Sequence, residues 1–265
     1  MDKSNIADEF KQALAKSGKD AAPLILGSEG RYSLEYVPFE HVNIEAKLVI
    51  VGITPGPTQR DDAYDETKHL SRRGLADAEI LRRVKRHAAF GGPAMRPNLE
   101  RMLDEMGVMT LLSGGRAAEL WAGRAHLLHA TSAVPHAAFV GGKPFAGSFE
   151  EIRRIDLLRR CFEQDFLPTL SRLRPDAYYI ALGPTPAAAL AFAADRGRID
   201  RSRILGWLAH PSTQGGSQVS VYLGKKKVAE LNPKDPVRHR ASALVAAAEE
   251  MRARLKASLM QRAAA

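Results

Sequence analysis

With 265 residues, 45% of them apolar, the chain can bury a sizeable core and is not of disordered composition, yet no apolar run is long enough to cross a bilayer. A single cysteine, Cys161, excludes an internal disulfide and any four-cysteine zinc or iron–sulfur site. A net charge of +9 suggests a polyanionic partner, and the cations cluster at Arg82-Arg83-Val84-Lys85-Arg86, at Arg153-Arg154 with Arg159-Arg160, and at Lys225-Lys226-Lys227.

The first residues lead into a charged amphipathic stretch rather than a signal-type apolar segment, so a cytoplasmic protein is expected. Apolar spacing (Ile6, Phe10, Ala13, Leu14) predicts a helix over 6–17. Residues 24–38 read as irregular. The near-continuous apolar run 47–52 reads as a buried parallel strand, and 54–74 as a loop rich in proline, glycine and charge. A basic helix is expected over 76–90, closed by Gly91-Gly92-Pro93, and another over 97–106. A second strand spans 126–134 and is stopped by Pro135. Residues 136–148, with Gly141-Gly142, read as a loop and a candidate lid.

A long helix follows from Phe149, with Ile152, Ile155, Leu158 and Phe162 on one side, and Pro168 should kink or end it. The third strand covers 176–182, and a helix over 186–196 takes Thr185 as its cap. The fourth strand covers 204–209. Residues 218–223 alternate as a short hairpin or edge strand, 232–236 form a turn, and an Ala-rich helix runs from Ala241. Alternating strands and helices place the chain in the α/β class. We expect one domain, a three-layer α/β/α sandwich on a central, mostly parallel four-stranded sheet, with its core over 47–225, an N-terminal helical extension and a C-terminal helix.

Two strand ends carry the chemistry. In Gly52-Ile53-Thr54-Pro55-Gly56, Gly52 permits a sharp turn, the prolines stiffen it, Gly56 lets a ligand approach the backbone, and Thr54 offers a hydroxyl. The lysine and following hydroxyl of a phosphate-binding P-loop are missing. In His210-Pro211-Ser212, the histidine can donate to a developing anion while Pro211 fixes its approach. Ligands of open α/β sheets bind at this carboxyl edge, where two such loops can wall one cleft.

In this order, with a strand between them, the two loops resemble the motifs of the uracil-DNA glycosylase superfamily. Val51-Gly52-Ile53-Thr54-Pro55-Gly56 is similar to its first motif, and His210-Pro211-Ser212 matches its His-Pro-Ser second motif. Cys161-Phe162, Phe166-Leu167, Leu173, Pro175, Ala181-Leu182-Gly183 and Ala187 resemble its helix, strand and Leu-Gly-x-x-Ala turn. Phe90-Gly91-Gly92, then Leu99, Met102-Leu103 and Gly107, resemble its aromatic segment and next helix. The resemblance runs from Lys47 to Ser212.

That resemblance implies a monofunctional DNA glycosylase free of metal and cofactor, a monomer acting on duplex or single-stranded DNA. A base is flipped into a pocket and its N-glycosidic bond is hydrolysed. His210 would stabilise the departing base anion, and Thr54 would hold the attacking water. Gly52, Ile53, Pro55, Gly56, Thr131 and Ser132 would line the base site, and Phe90 would stack on the base. Pro211 and Ser212 would press on the DNA backbone. Arg82, Arg83, Lys85, Arg86, Lys225 and Lys226 would meet phosphates.

Two departures shape the expectation. Thr54 stands where the most active uracil-cleaving members carry Asp and the mismatch-specific branch Asn. A hydroxyl orients water but is too weak a base to deprotonate it. Asp61, Asp62 and Asp65 are nearby acids, better read as solvated. The second strand ends in Thr131-Ser132 rather than the Asn that reads uracil, so a modified base other than uracil is favoured. His129 and His136 are read as structural in preference to base contacts. The alternative is a binding module on the same fold that holds a base or lesion without cutting it. Action on free nucleosides ranks third.

Overall fold

The computed structural model describes Asp8 and residues 23–264; the helix expected over 6–17 lies outside the described residues. In chain order the elements are β1 (Ile25–Glu29), β2 (Tyr32–Glu35), β3 (Leu48–Gly52), α1 (Pro57–Arg72), α2 (Asp77–Ala88), α3 (Met95–Glu105), β4 (Leu128–Ser132), β5 (Ala137–Val140) and β6 (Lys143–Pro144). There follow α4 (Phe149–Arg154), α5 (Asp156–Cys161), a π-helical turn (Phe162–Phe166), α6 (Leu167–Leu170), β7 (Tyr178–Leu182), α7 (Pro184–Asp195), β8 (Ile204–Leu208), α8 (Gln218–Tyr222) and α9 (Ala241–Ala264). The chain divides into two units. The first comprises Met1–His41, Thr54–Gly91 and Val134–Phe166, and the second Val42–Ile53, Gly92–Ala133 and Leu167–Ala265.

The second unit holds the expected parallel sheet, in the order β4-β3-β7-β8. Every residue of β3 and β7 is buried, which is why both read as uninterrupted apolar runs. α7 joins β7 to β8 and packs on both, while α9 packs on β8. The chain leaves β3 toward β4 on one side and leaves β7 toward β8 on the other. The order therefore reverses between β3 and β7, and such a switch point opens a crevice at the carboxyl ends of the strands.

The first unit holds an antiparallel sheet, β1-β2-β5-β6, that the sequence did not announce. Residues 24–38, expected to be irregular, contain the β1–β2 hairpin. The two-residue link Gly30-Arg31 takes Gly30 at φ +55°. The candidate lid is also a hairpin: β5 pairs with β2 and β6, and Gly141 and Gly142 both adopt positive φ at its turn. These strands are short and carry no strict alternation, so their pairing rather than their pattern defines them.

The expected loop 54–74 is mostly α1. Pro57 occupies the first helical turn, where a missing N–H costs nothing, and Gln59, Ala63, Tyr64, Thr67 and Leu70 turn inward at helical spacing. Ala63 and Leu70 join Val37, Ile80, Val84, Ala88, Ala137 and Phe139 in one core. The long helix expected from Phe149 is broken at Ile155, whose backbone is extended. The π turn then precedes Pro168; a widened turn removes the clash between a proline ring and the carbonyl four residues back. Gly183, not Thr185, caps α7, with Pro184 in its first turn. Residues 218–222 form the helix α8 rather than a strand, burying Gln218, Val219, Val221 and Tyr222.

Candidate functional site

At the carboxyl edge of the parallel sheet, Ser132 stands in register with Gly52, and the Ala133 N–H donates to Gly52 O at 2.9 Å. Thr131 and Ser132, Gly52 and Ile53, and the start of the 210–212 loop thus lie at one end of one sheet. One strand separates β3 from β8, a distance of about 10 Å.

His210 lies two residues beyond β8 and its side chain is half-buried. The Ser212 N–H, which can only donate, points at His210 Nδ1 at 3.3 Å, and Ser212 Oγ lies 2.9 Å from the same nitrogen. Both contacts are satisfied when Nδ1 carries the lone pair, which assigns the proton of the neutral ring to Nε2. Burial, then the charge of Arg240, lowers the imidazole below its ordinary pKa. The ring is therefore a neutral Nε2–H donor near pH 7, suited to a forming anion and reluctant to protonate it.

The loop is held by side-chain amides. Gln218, 2% exposed, donates from Nε2 to His210 O at 2.7 Å and to Ser212 O at 3.1 Å. Asn98 Nδ2 donates to Pro211 O at 2.8 Å. All three carbonyls of His210-Pro211-Ser212 are thereby engaged. Arg240 donates to Gln218 Oε1 at 2.9 Å, and since a guanidinium has no acceptor, this contact fixes which end of the amide faces the loop. Gly215 packs against that amide: a Cβ there would lie 2.0 Å from Gln218 Cδ. Sequence reasoning missed Asn98, Gln218 and Arg240. A polar residue that works through a contact distant in sequence leaves no local pattern.

The remaining expected residues lie in the first unit, except Lys225 and Lys226. Thr54 does not present a free hydroxyl. Its Oγ1 donates to His136 O at 2.6 Å and accepts from the Ala138 N–H at 2.9 Å, tying the first loop to β5. The only proton of the hydroxyl is thus committed to a carbonyl, which leaves one lone pair and no donor for a water. Pro55 is buried and Gly56 is the residue before α1.

Phe90 is 3% exposed and takes a left-handed backbone, φ +52°, that costs a non-glycine residue about 1–2 kcal/mol. The buried Gln59 holds that backbone by accepting from the Phe90 N–H at 2.9 Å. His136 Nδ1 accepts from the Val37 N–H, and in the second unit His129 Nδ1 accepts from the Asn43 N–H, both structural contacts. Asp61, Asp62 and Asp65 lie on α1, with Asp61 and Asp65 exposed and Asp61 paired to Arg60.

The basic clusters are compensated in part. Arg82 and Arg83 share Glu79, whose carboxyl they pull down to about 2. Lys225 meets Glu105 at 2.5 Å, and Lys226 donates to Ser217 Oγ at 3.0 Å. Arg86 is exposed. Lys85 is a correction: it is 7% exposed, donates to His41 O at 2.7 Å, and burial pushes its ammonium down to about 7. A buried amine does not face a DNA phosphate. Among the described residues, no group of three or more His, Cys, Asp or Glu is placed to hold a metal, and no helix is long and apolar enough to cross a membrane.

No family model matches the chain. It is similar to the uncharacterized protein YoxB of Bacillus subtilis (strain 168), with 28% identity over 219 residues, 82% of this chain and 85% of that protein. No solved structure matches it.

Proposed function

We propose that this protein is a DNA glycosylase that hydrolyses the N-glycosidic bond of a flipped-out modified base, with a base other than uracil favoured. The observation that carries the reading is His210, a neutral Nε2–H donor at the carboxyl end of the last parallel strand. As the bond from C1′ to the base nitrogen breaks, its electron pair leaves with the base and positive charge grows on the sugar. A hydrogen bond aimed at the resulting anion favours this transition state over the ground state. Water then adds its oxygen to C1′, and its proton passes to the base or to solvent. No strong base is required of Thr54 if departure of the base runs ahead of water attack, which suits a better leaving group than uracil. Thr131, in register with Val51, and Ser132, in register with Gly52, offer hydroxyls where a carboxamide would read uracil by paired contacts.

A second reading is favoured by a specific observation. The Thr54 hydroxyl gives its one proton to His136 O and accepts from Ala138 of β5, which fits a module that binds a base or lesion without cutting it. One assay separates the two. Duplex and single-stranded oligonucleotides carrying a panel of modified bases are incubated with the protein and then treated with alkali, which breaks the strand at abasic sites. Breaks that vanish in His210→Ala support the glycosylase. Tight binding across the panel without breaks supports the binding module. Breaks that persist at full rate in His210→Ala overturn the site.

A further inference from the structure

The clamp on the 210–212 loop does more than hold a turn in place. Its members come from three separate places: Asn98 from α3, Gln218 from the first turn of α8, and Arg240 from the residue before α9. Asn98 and Gln218 converge on the three consecutive carbonyls of one tripeptide, and Arg240 backs Gln218 from behind. A loop that needed only to be closed would be closed by its own backbone, and a proline within it already limits its freedom. Fixing all three carbonyls also fixes the peptide plane between Pro211 and Ser212, and it is the Ser212 N–H of that plane that meets His210 Nδ1. The orientation of the amides thus reaches the imidazole through one rigid peptide.

Arg240 acts on this arrangement twice. It accepts nothing and donates to Gln218 Oε1, so Gln218 must offer its NH2 to the carbonyls. Its charge also opposes protonation of the ring. Other charged groups face elsewhere in the loop. Asp235 accepts from the Ser217 N–H and Val237 N–H, and Lys226 donates to Ser217 Oγ. On α3 the charged neighbours of Asn98 in sequence are Arg96 and Glu100.

We infer that Asn98, Gln218 and Arg240 are positioning residues that lock His210 as the Nε2–H tautomer, with Arg240 setting that state through both Gln218 and its own charge. The inference rests on His210 as the anion-stabilising group, but its test needs no cleavage. Long-range 1H–15N correlation spectra of the full chain, with histidines labelled and His210 assigned by its loss in His210→Gln, report tautomer and titration directly.

Wild type is expected to show a protonated Nε2, an unprotonated Nδ1 and a midpoint below 6.5, the ordinary value for histidine. Arg240→Gln is expected to raise the midpoint, since it removes the cation that opposes protonation of the ring. Arg240→Lys, which restores the cation, returns it most of the way. Gln218→Leu is expected to mix the two tautomers.

A wild-type ring protonated on Nδ1, or a midpoint unmoved in Arg240→Gln, overturns the inference. If Arg240→Gln does not fold, the wild-type tautomer and the Arg240→Lys midpoint still decide it. Should the spectra come out as expected while no base is ever released, the inference stands and the glycosylase reading falls. The converse result keeps the enzyme and discards the clamp.

Discussion

The loops after β3 and after β8 share one grammar: a buried apolar strand, a proline-stiffened turn and a polar side chain at the strand mouth. The structure uses the two polar groups in opposite ways. Thr54 spends its proton on His136 O and a lone pair on the Ala138 N–H of β5. His210 instead has one nitrogen engaged by its own loop, which leaves the other to donate. A hydroxyl placed to accept and donate at once is mortar between strands. An imidazole with one nitrogen tied down is a directed donor. Residue type at a strand end therefore says less about chemistry than which of its atoms the fold has already claimed.

The sharpest way to break this contrast is to compare the two groups in one single-turnover assay. His210→Ala should slow base release by about a hundred- to a thousand-fold with little change in Tm. Thr54→Val should do the reverse. Losing two hydrogen bonds to partly buried backbone should cost about 1–3 kcal/mol in denaturant unfolding, while the rate falls less than tenfold. Thr54→Asp should be worse still for stability, because it sets a carboxylate against His136 O. If Thr54→Val instead loses activity like His210→Ala while keeping its Tm, the two loops are partners in chemistry and the contrast fails.

The buried Lys85 sharpens it from the side of stability. Its folded pKa near 7 lies below the 10.5 of the free side chain, so between those values the unfolded chain holds a proton that the folded chain does not. Stability must therefore rise with pH across that window, by on the order of 1–3 kcal/mol from pH 7 to 9.5. Urea unfolding should show this gain in wild type and lose it in Lys85→Met. An equal gain in both places the titrating group elsewhere; Glu40, which opposes the shift, is the charged neighbour to test next.

The smallest expected effect concerns Glu79. Glu79→Gln releases Arg82 and Arg83 from their shared carboxylate. If α2 meets DNA, the plot of log affinity against log salt should steepen by about one. An unchanged slope removes α2 from the interface.

Much of this molecule was readable before any coordinates, for a physical reason. β3, β4, β7 and β8 are buried in a parallel sheet, and burial writes itself into sequence as apolar runs. His210-Pro211-Ser212 was legible because it directly follows such a run. The antiparallel sheet was not, because β1, β2 and β5 are short, β1 and β2 are only half-covered, and the pairing of β2 with β5 joins segments far apart in the chain. α1 hid behind its prolines and charges, although Pro57 is where a helix tolerates one. Thr54 misled for a related reason: its hydroxyl is claimed by β5, more than eighty residues later. The count of cations misled at Lys85, since charge in a sequence says nothing of the carboxylate or carbonyl that folding sets beside it.

Position 215 carries one more consequence. The atoms nearest to a methyl group there are the carbon and nitrogen of an amide that is itself pinned by three hydrogen bonds, so it cannot swing aside without releasing them. Alanine at 215 is thus incompatible with a gripped tripeptide. A related chain that keeps the histidine, proline and serine but replaces this glycine must secure its imidazole by other means, and sorting relatives by that single position separates those that share the device from those that only share the motif.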